Sequence, residues 1–161
     1  MKHKDVAMDL SFEKSCAREA VDLHDFFRDW LTGVLPRSPA EFERFRSAMG
    51  EGLTVISPRG TVSARDDILT EFEALHGQLA DKAGQFEIAV ENFHCLRDLG
   101  ETLLCSYEEW HRLEGESSAR LTTVLYGRNP DAPLGVEWLH VHETWLPGQA
   151  PAAGERFPET E

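Results

Sequence analysis

The chain has 161 residues, 41% of them hydrophobic, and a formal net charge of −13, with its 16 Lys and Arg scattered rather than clustered. Such a length and apolar content fit one domain with a real core, and a negative field with no basic patch excludes a phosphate-backbone partner such as nucleic acid. No run approaches the roughly 18 apolar residues of a membrane span, and Met1 to Leu10 lacks the apolar stretch of a secretion signal, so a cytoplasmic protein away from membranes is expected.

From Phe12 to Leu31 apolar residues recur at helical spacing (Phe12, Cys16, Ala20, Leu23, Phe27, Trp30, Leu31) between charged ones, which predicts an amphipathic helix closed by Gly33 and Pro36. Ser38-Pro39-Ala40-Glu41 restarts a helix: a Ser cap, a first-turn Pro, and a Glu three residues after the cap. Phe42, Phe45 and Met49 are its inward stripe. Leu53 to Ile56 then reads as a short strand, Ser57-Pro58-Arg59-Gly60 as a tight turn, and Thr61-Val62 as the returning strand. Ser63 caps a third helix through Leu75, with Ile68, Leu69, Phe72 and Leu75 inward and Gly77 past its end.

Beyond Gly77 the period changes from about 3.6 to 2. Four strands are expected, Phe86 to Leu96, Thr102 to Leu113, Ser117 to Tyr126 and Val136 to Leu146, with connections short enough for antiparallel hairpins. Residues 148–161, rich in Pro, Ala, Gly and Glu, are expected to be a disordered tail, and 1–10 a flexible start, leaving one domain over 11–147. Cys16, Cys95 and Cys105 form no close-spaced pair, so buried free thiols are expected rather than a zinc ribbon or disulfide framework.

Three helices with a small hairpin and then a four-stranded meander is an α+β order that resembles the nuclear-transport-factor-2-like superfamily, including its SnoaL-like and DUF4440 branches. Asn92-Phe93-His94, Cys105-Ser106-Tyr107, Leu121 to Leu125 and above all Trp138 to Pro147 carry the likeness. The last run, a Trp before His140-x-His142, a small hydroxyl residue and a Pro, resembles the closing strand of the calcium/calmodulin-dependent kinase association domain. The resemblance implies helices packed on the concave face of a strongly curved antiparallel sheet, a conical pocket, and a homodimer through the opposite face. It also implies departures. Where the ketosteroid isomerase branch has its proton-abstracting Asp this chain has Ser57, which is no base near neutral pH, and its oxyanion acid falls near Thr123; the pocket arginines of the kinase branch become Glu109, Thr123 and Glu143. Ketosteroid isomerisation is therefore not expected.

Alternation along strands then sorts candidate residues. Leu139, Val141, Glu143 and Trp145 are expected on the concave face, with Leu103, Cys105, Tyr107, Glu109 and His111 on one neighbouring strand and Ala119, Leu121, Thr123 and Leu125 on the other. Together with Phe27, Leu69 and Phe72 of the helices, the residues Tyr107, Glu109, Thr123, Val141 and Glu143 make the expected ligand pocket. Two acids beside a Tyr hydroxyl in an apolar cavity is an arrangement suited to acid–base work. Two expectations stay open: a binding site for a small hydrophobic organic molecule, and a cofactor-independent isomerase or lyase with Glu109 as base and Tyr107 or Glu143 as acid. The bland alternative keeps Glu143 at the rim and Glu109 paired with a neighbouring Arg or backbone group. The convex face is expected to hold Trp110, Val124, Arg120, Tyr126, Trp138, His140 and His142, aromatic enough for a dimer surface. His24 and His76 are expected to be solvated or capping. Neither a cofactor nor a metal is expected, because His111 falls on the face opposite His140 and His142.

Overall fold

A computed structural model of the chain describes residues 2–152, with side chains from residue 11 onward. Of the expected flexible start and disordered tail, residue 1, the side chains of 2–10 and residues 153–161 lie outside the described residues. The elements run α1 (Lys2–Leu31), α2 (Pro39–Arg46), β1 (Met49–Ile56), β2 (Val62–Ala64), α3 (Arg65–Ala74), β3 (Phe86–Asp98), β4 (Thr102–Leu113), β5 (Glu116–Arg128) and β6 (Val136–Trp145), with 3-10 segments at Ala80–Gln85 and Pro133–Gly135. The Ser38 hydroxyl accepts from the Glu41 N–H at 3.2 Å, which supplies the cap that lets α2 begin at Pro39. At the tight turn Gly60 takes φ +86°, open to a residue without Cβ, and its N–H donates to Ser57 O. Among the described residues no helix is long and apolar enough to cross a membrane.

The six strands form one sheet in the order β2-β1-β6-β5-β4-β3. Every pair is antiparallel except β1 with β6, so the expected antiparallel sheet is in fact mixed. The reason is the entry of β1: Trp138 N–H donates to Ala48 O at 2.9 Å just before β1 starts, and the chain then runs alongside β6 in the same direction. The helical layer covers one face. Phe12, Cys16, Ala20, Leu23, Phe26, Trp30 and Leu31 of α1 are buried against Leu103, Cys105 and Tyr107 of β4, Val124 and Tyr126 of β5, and Val136, Trp138 and Val141 of β6. Trp30 also donates its indole N–H to Phe72 O at 3.0 Å, pinning α1 to α3.

Two expected face assignments are corrected. On β5 the inward residues are Arg120, Thr122, Val124 and Tyr126, because they stand directly opposite Glu109, Tyr107, Cys105 and Leu103 of β4, and directly opposed residues share a face. Leu121, Thr123 and Leu125 therefore point away from the helices, and Thr123 leaves the expected pocket. On β6 the pairing slips between Leu125 and Tyr126, so that His140 opposes Leu125 while Trp138 opposes Tyr126 and Leu139 is the extra residue. This bulge inverts the alternation. Trp138 joins Val141 and Glu143 on the concave side, 3% exposed and edge-on to Tyr126 at 4.7 Å.

The bulged Leu139 is accommodated by two glycines. A Cβ on Gly127 would meet Leu139 Cδ1 at 2.9 Å, and one on Gly50 would meet Trp138 O at 2.9 Å and Leu139 Cδ2 at 3.0 Å. Trp138, Tyr126 and Arg120 are consequently buried within one chain and unavailable as the dimer surface expected of them. His142 and the half-buried Trp110 and His140 remain outside the core.

Candidate functional site

Between α1 and the concave face lies a cavity of about 90 Å³. Its walls are apolar, from Leu23, Phe27, Phe45, Ile68, Phe72 and Val141, while one end gathers His24, Tyr107, Glu109, His111, Arg120 and Glu143. The strand positions of Tyr107, Glu109 and His111 follow from unbroken alternation along β4. Arg120 and Glu143 arrive from β5 and β6 across the ladder, and α1 brings His24 down from above.

Glu109 is the centre of this group. Its Oε1 accepts from His111 Nε2 at 2.6 Å, and its Oε2 lies 3.1 Å from His24 Nε2. The other ring nitrogen of His24, Nδ1, is 2.6 Å from Ala20 O. A carbonyl only accepts, so Nδ1 carries a proton, and attraction between Nε2 and a carboxylate requires a second one. His24 is thus an imidazolium: burial opposes its charge, but the Glu109 carboxylate and the Ala20 carbonyl keep its pKa above the ordinary histidine value. For Glu109 burial alone would raise the carboxyl, yet the His24 charge, hydrogen bonds from both histidines and nearby Arg120 hold it well below the usual carboxylate range. His111 goes the other way, because burial, with the positive charges of Arg120 and His24 adding to it, outweighs the pull of Glu109, and it serves as a neutral donor.

Beside this triad Arg120 Nη1 donates to Glu143 Oε2 at 2.6 Å, with both side chains nearly buried. The guanidinium also lies over the Trp145 ring, 4.9 Å from its centroid. Burial, with Glu109 adding to it, raises the Glu143 carboxyl against the pull of Arg120. Glu143 also lines the cavity. Burial and the two carboxylates push the Tyr107 phenol well up, with Arg120 and Thr122 opposing. A second buried acid, Glu19, lies deeper: Arg44 grips it with Nη1 at 3.1 Å and Nη2 at 2.6 Å, and Trp138 donates its indole N–H at 3.0 Å. Desolvation raises Glu19 despite these partners.

The family described as sucrose-6-phosphate phosphohydrolase C-terminal matches residues 16–147, most of the chain. The chain belongs to that family. Sucrose-phosphatase 1 and sucrose-phosphatase 2 of Nicotiana tabacum are each 29% identical over 136 residues, covering 83% of this chain. The chain spans only 31% of the length of these relatives. Among solved structures, an NTF-2 like protein of unknown function from Pseudomonas aeruginosa aligns with TM-score 0.69 at 21% identity, over 82% of this chain and 98% of that one. An NTF2-like protein from Cytophaga hutchinsonii aligns with TM-score 0.51 at 11% identity, over 76% and 93%. The nuclear-transport-factor-2-like fold expected from the strand motifs is therefore the fold of this family member.

Of the residues expected at the pocket, the structure brings together Phe27, Phe72, Tyr107, Glu109, Val141 and Glu143. Leu69 is buried in the core but does not line the cavity, and Thr123 faces away. Sequence reasoning missed His24, His111 as a partner of Glu109, and Arg120. The signal for His24 was present: it lies four residues after Ala20 and three before Phe27, within the apolar stripe of α1, where a solvated histidine does not belong. It is 4% exposed. His76, also expected to be solvated or capping, is half-buried, contacts Leu35 O through Nε2 at 2.7 Å and meets Trp30 edge-on at 4.5 Å.

Proposed function

We propose that this domain binds a small, neutral, hydroxyl-bearing organic molecule at the polar end of the cavity, and does so as a homodimer. The observation that carries the reading is the charge balance of the buried group. His24 and Arg120 are positive, Glu109 and Glu143 negative, and His111 neutral, and each cation already faces a carboxylate. A charged ligand would disturb that balance in a desolvated site. A neutral donor would not, and the carboxylates of Glu143 and Glu109, both lining the cavity, offer it acceptors. The apolar walls suit the carbon skeleton of such a molecule. A sugar has this chemistry, and the tobacco relatives are sucrose-phosphatases.

Acid–base catalysis by Glu109 and Tyr107 has weaker support. A carboxyl held far down is a poor base and a phenol pushed far up a poor acid.

Calorimetric titration of the folded protein with a panel of neutral polyols and sugars, and with sucrose phosphate as the charged comparison, tests the reading. Binding is expected for a neutral member and is expected to weaken by about tenfold in Glu143→Gln, as loss of a hydrogen bond to a charged acceptor requires. Preference for the charged compound, absence of binding, or an indifferent Glu143→Gln variant refutes it. For self-association the corrected convex face offers Trp110, Leu121, Leu125, His140 and His142. Leu121, 39% exposed in the isolated chain, is its apolar centre. Sedimentation of Leu121→Asp should show monomer where the wild type is dimeric; a monomeric wild type or a dimeric variant overturns the assignment.

A further inference from the structure

The cysteines look remote in sequence, yet the β3–β4 hairpin sets Cys95 directly opposite Cys105. Directly opposed residues of an antiparallel pair have Cα atoms about 4.5–5.5 Å apart, inside the roughly 4.4–6.8 Å window of a disulfide, and their side chains share a face. Cys16 of α1 is buried close enough for the three thiols to influence one another electrostatically. Access is unequal: Cys16 and Cys105 are fully buried, whereas Cys95 is half-buried on β3, the outer strand of the sheet. The β3–β4 pairing also slips on both sides of this point, between Glu91 and His94 and between Cys95 and Arg97. The Cys95 segment is therefore a short regular stretch between irregularities, where a strand can adjust without disturbing a long ladder.

We propose that Cys95 and Cys105 are a redox-modifiable dithiol, with Cys95 as the entry thiol and Cys105 as the resolving thiol, oxidised within one chain by a small disulfide. Cys95 thiolate attacks one sulfur of the disulfide, forming a mixed disulfide and releasing one small thiolate, which takes up the proton lost by Cys95. Cys105 gives up its proton and attacks the Cys95 sulfur, forming the Cys95–Cys105 bond and releasing the second small thiolate, which takes that proton. The two protein thiols are oxidised by two electrons and the small disulfide is reduced to two thiols. The bond ties the outer strand to β4 two residues before Tyr107, on the strand that also carries Glu109 and His111. Burial, with Glu13 and Asp98 adding to it, raises the Cys95 thiol against a hydrogen bond from the Arg97 backbone, so the reaction accelerates toward alkaline pH.

The test incubates the folded full chain with oxidised glutathione at several pH values, then quenches in acid, alkylates, and reads intact mass and linked peptides. The expected product has lost two hydrogens, retains no glutathione and links Cys95 to Cys105. Cys16→Ser oxidises in the same way, and Cys95→Ser, at a half-exposed position, stays reduced. Cys105→Ser, if it folds, stops at a glutathione adduct on Cys95. The proposal is overturned by a lasting glutathione adduct on wild-type Cys95, a link to Cys16, a covalent dimer, or a chain that stays reduced at every pH.

Discussion

Replacing Glu109 with Gln keeps the shape of the side chain and removes the charge that His24 faces. The two groups are 3.1 Å apart and both are buried. At an effective dielectric near 20 their attraction is roughly 5 kcal/mol, much of it offset by desolvation, and removing one partner of such a pair typically costs about 3–5 kcal/mol. His24 has an escape, since it can shed its proton, so a loss of about 3 kcal/mol near pH 6 is expected, shrinking as pH rises. The sign follows from the direction of each shift. His24 is raised in the fold, so its contribution is present in full below the unfolded value, about 6.5, and is lost as pH climbs through the folded value. His111 is lowered, and its contribution is lost as pH falls from about 6.5 through its folded value. Glu109, itself lowered, adds a further loss as the solution becomes more acidic. Wild-type stability in urea, followed by tryptophan fluorescence at a series of pH values, should therefore be bell-shaped. In Glu109→Gln the descent just above the ordinary histidine value, which His24 supplies, should disappear, leaving the loss at higher pH that the buried thiols and phenols cause. A variant with wild-type stability and the same alkaline descent would show that Glu109 does not carry the charge of His24.

Arg44→Ala leaves Glu19 buried without its cation and should cost about 3–4 kcal/mol at neutral pH. Part of that loss should be recovered on acidification, because Glu19 can then protonate; equal losses at pH 7 and pH 5 would count against the assignment. Trp138→Phe keeps an aromatic ring beside Tyr126 but deletes the donor to Glu19, with an expected loss of about 1–3 kcal/mol. An unchanged urea midpoint would argue that the indole N–H contributes nothing. Gly127→Ala forces a methyl against Leu139 and should destabilise by about 1–3 kcal/mol. Leu139→Ala in the same chain should restore part of the loss, and failure of that rescue would sink the wedge explanation.

Where strands alternate without interruption, the sequence was a good guide. β4 was legible from Leu103 to His111 because inward residues there repeat every second position and no bulge intervenes. β5 misled for a physical reason: its inward face carries Arg120 and Thr122 to serve a polar cavity end, while its outward face carries Leu121 and Leu125, so the more apolar set is the outer one. On β6 a single extra residue, Leu139, moved Trp138 to the other side of the sheet, and only Gly50 and Gly127, distant in sequence, hint that a bulky side chain must be admitted there. Glu19 and His24 lay within the buried stripe of α1 but were charged or titratable, and their partners come from α2, β4 and β6, which no local pattern connects. The small hairpin and the Ser38 cap were readable because both depend on neighbours a few residues away.

The parallel contact between β1 and β6 has a consequence for how the chain assembles. β6, which follows all its sheet partners along the chain, occupies an interior position, bonded to β1 on one side and β5 on the other. Until Val136–Trp145 emerges from the ribosome, β1 and β5 each present an unsatisfied edge, and the apolar side of α1 lacks Val136, Trp138 and Val141. Closure therefore depends on contacts spanning nearly ninety residues of sequence, between Met49 and Trp138, a separation that slows folding and prolongs exposure of the open edges. The sheet is completed from its middle, and the segment that completes it also brings Glu143 to the cavity.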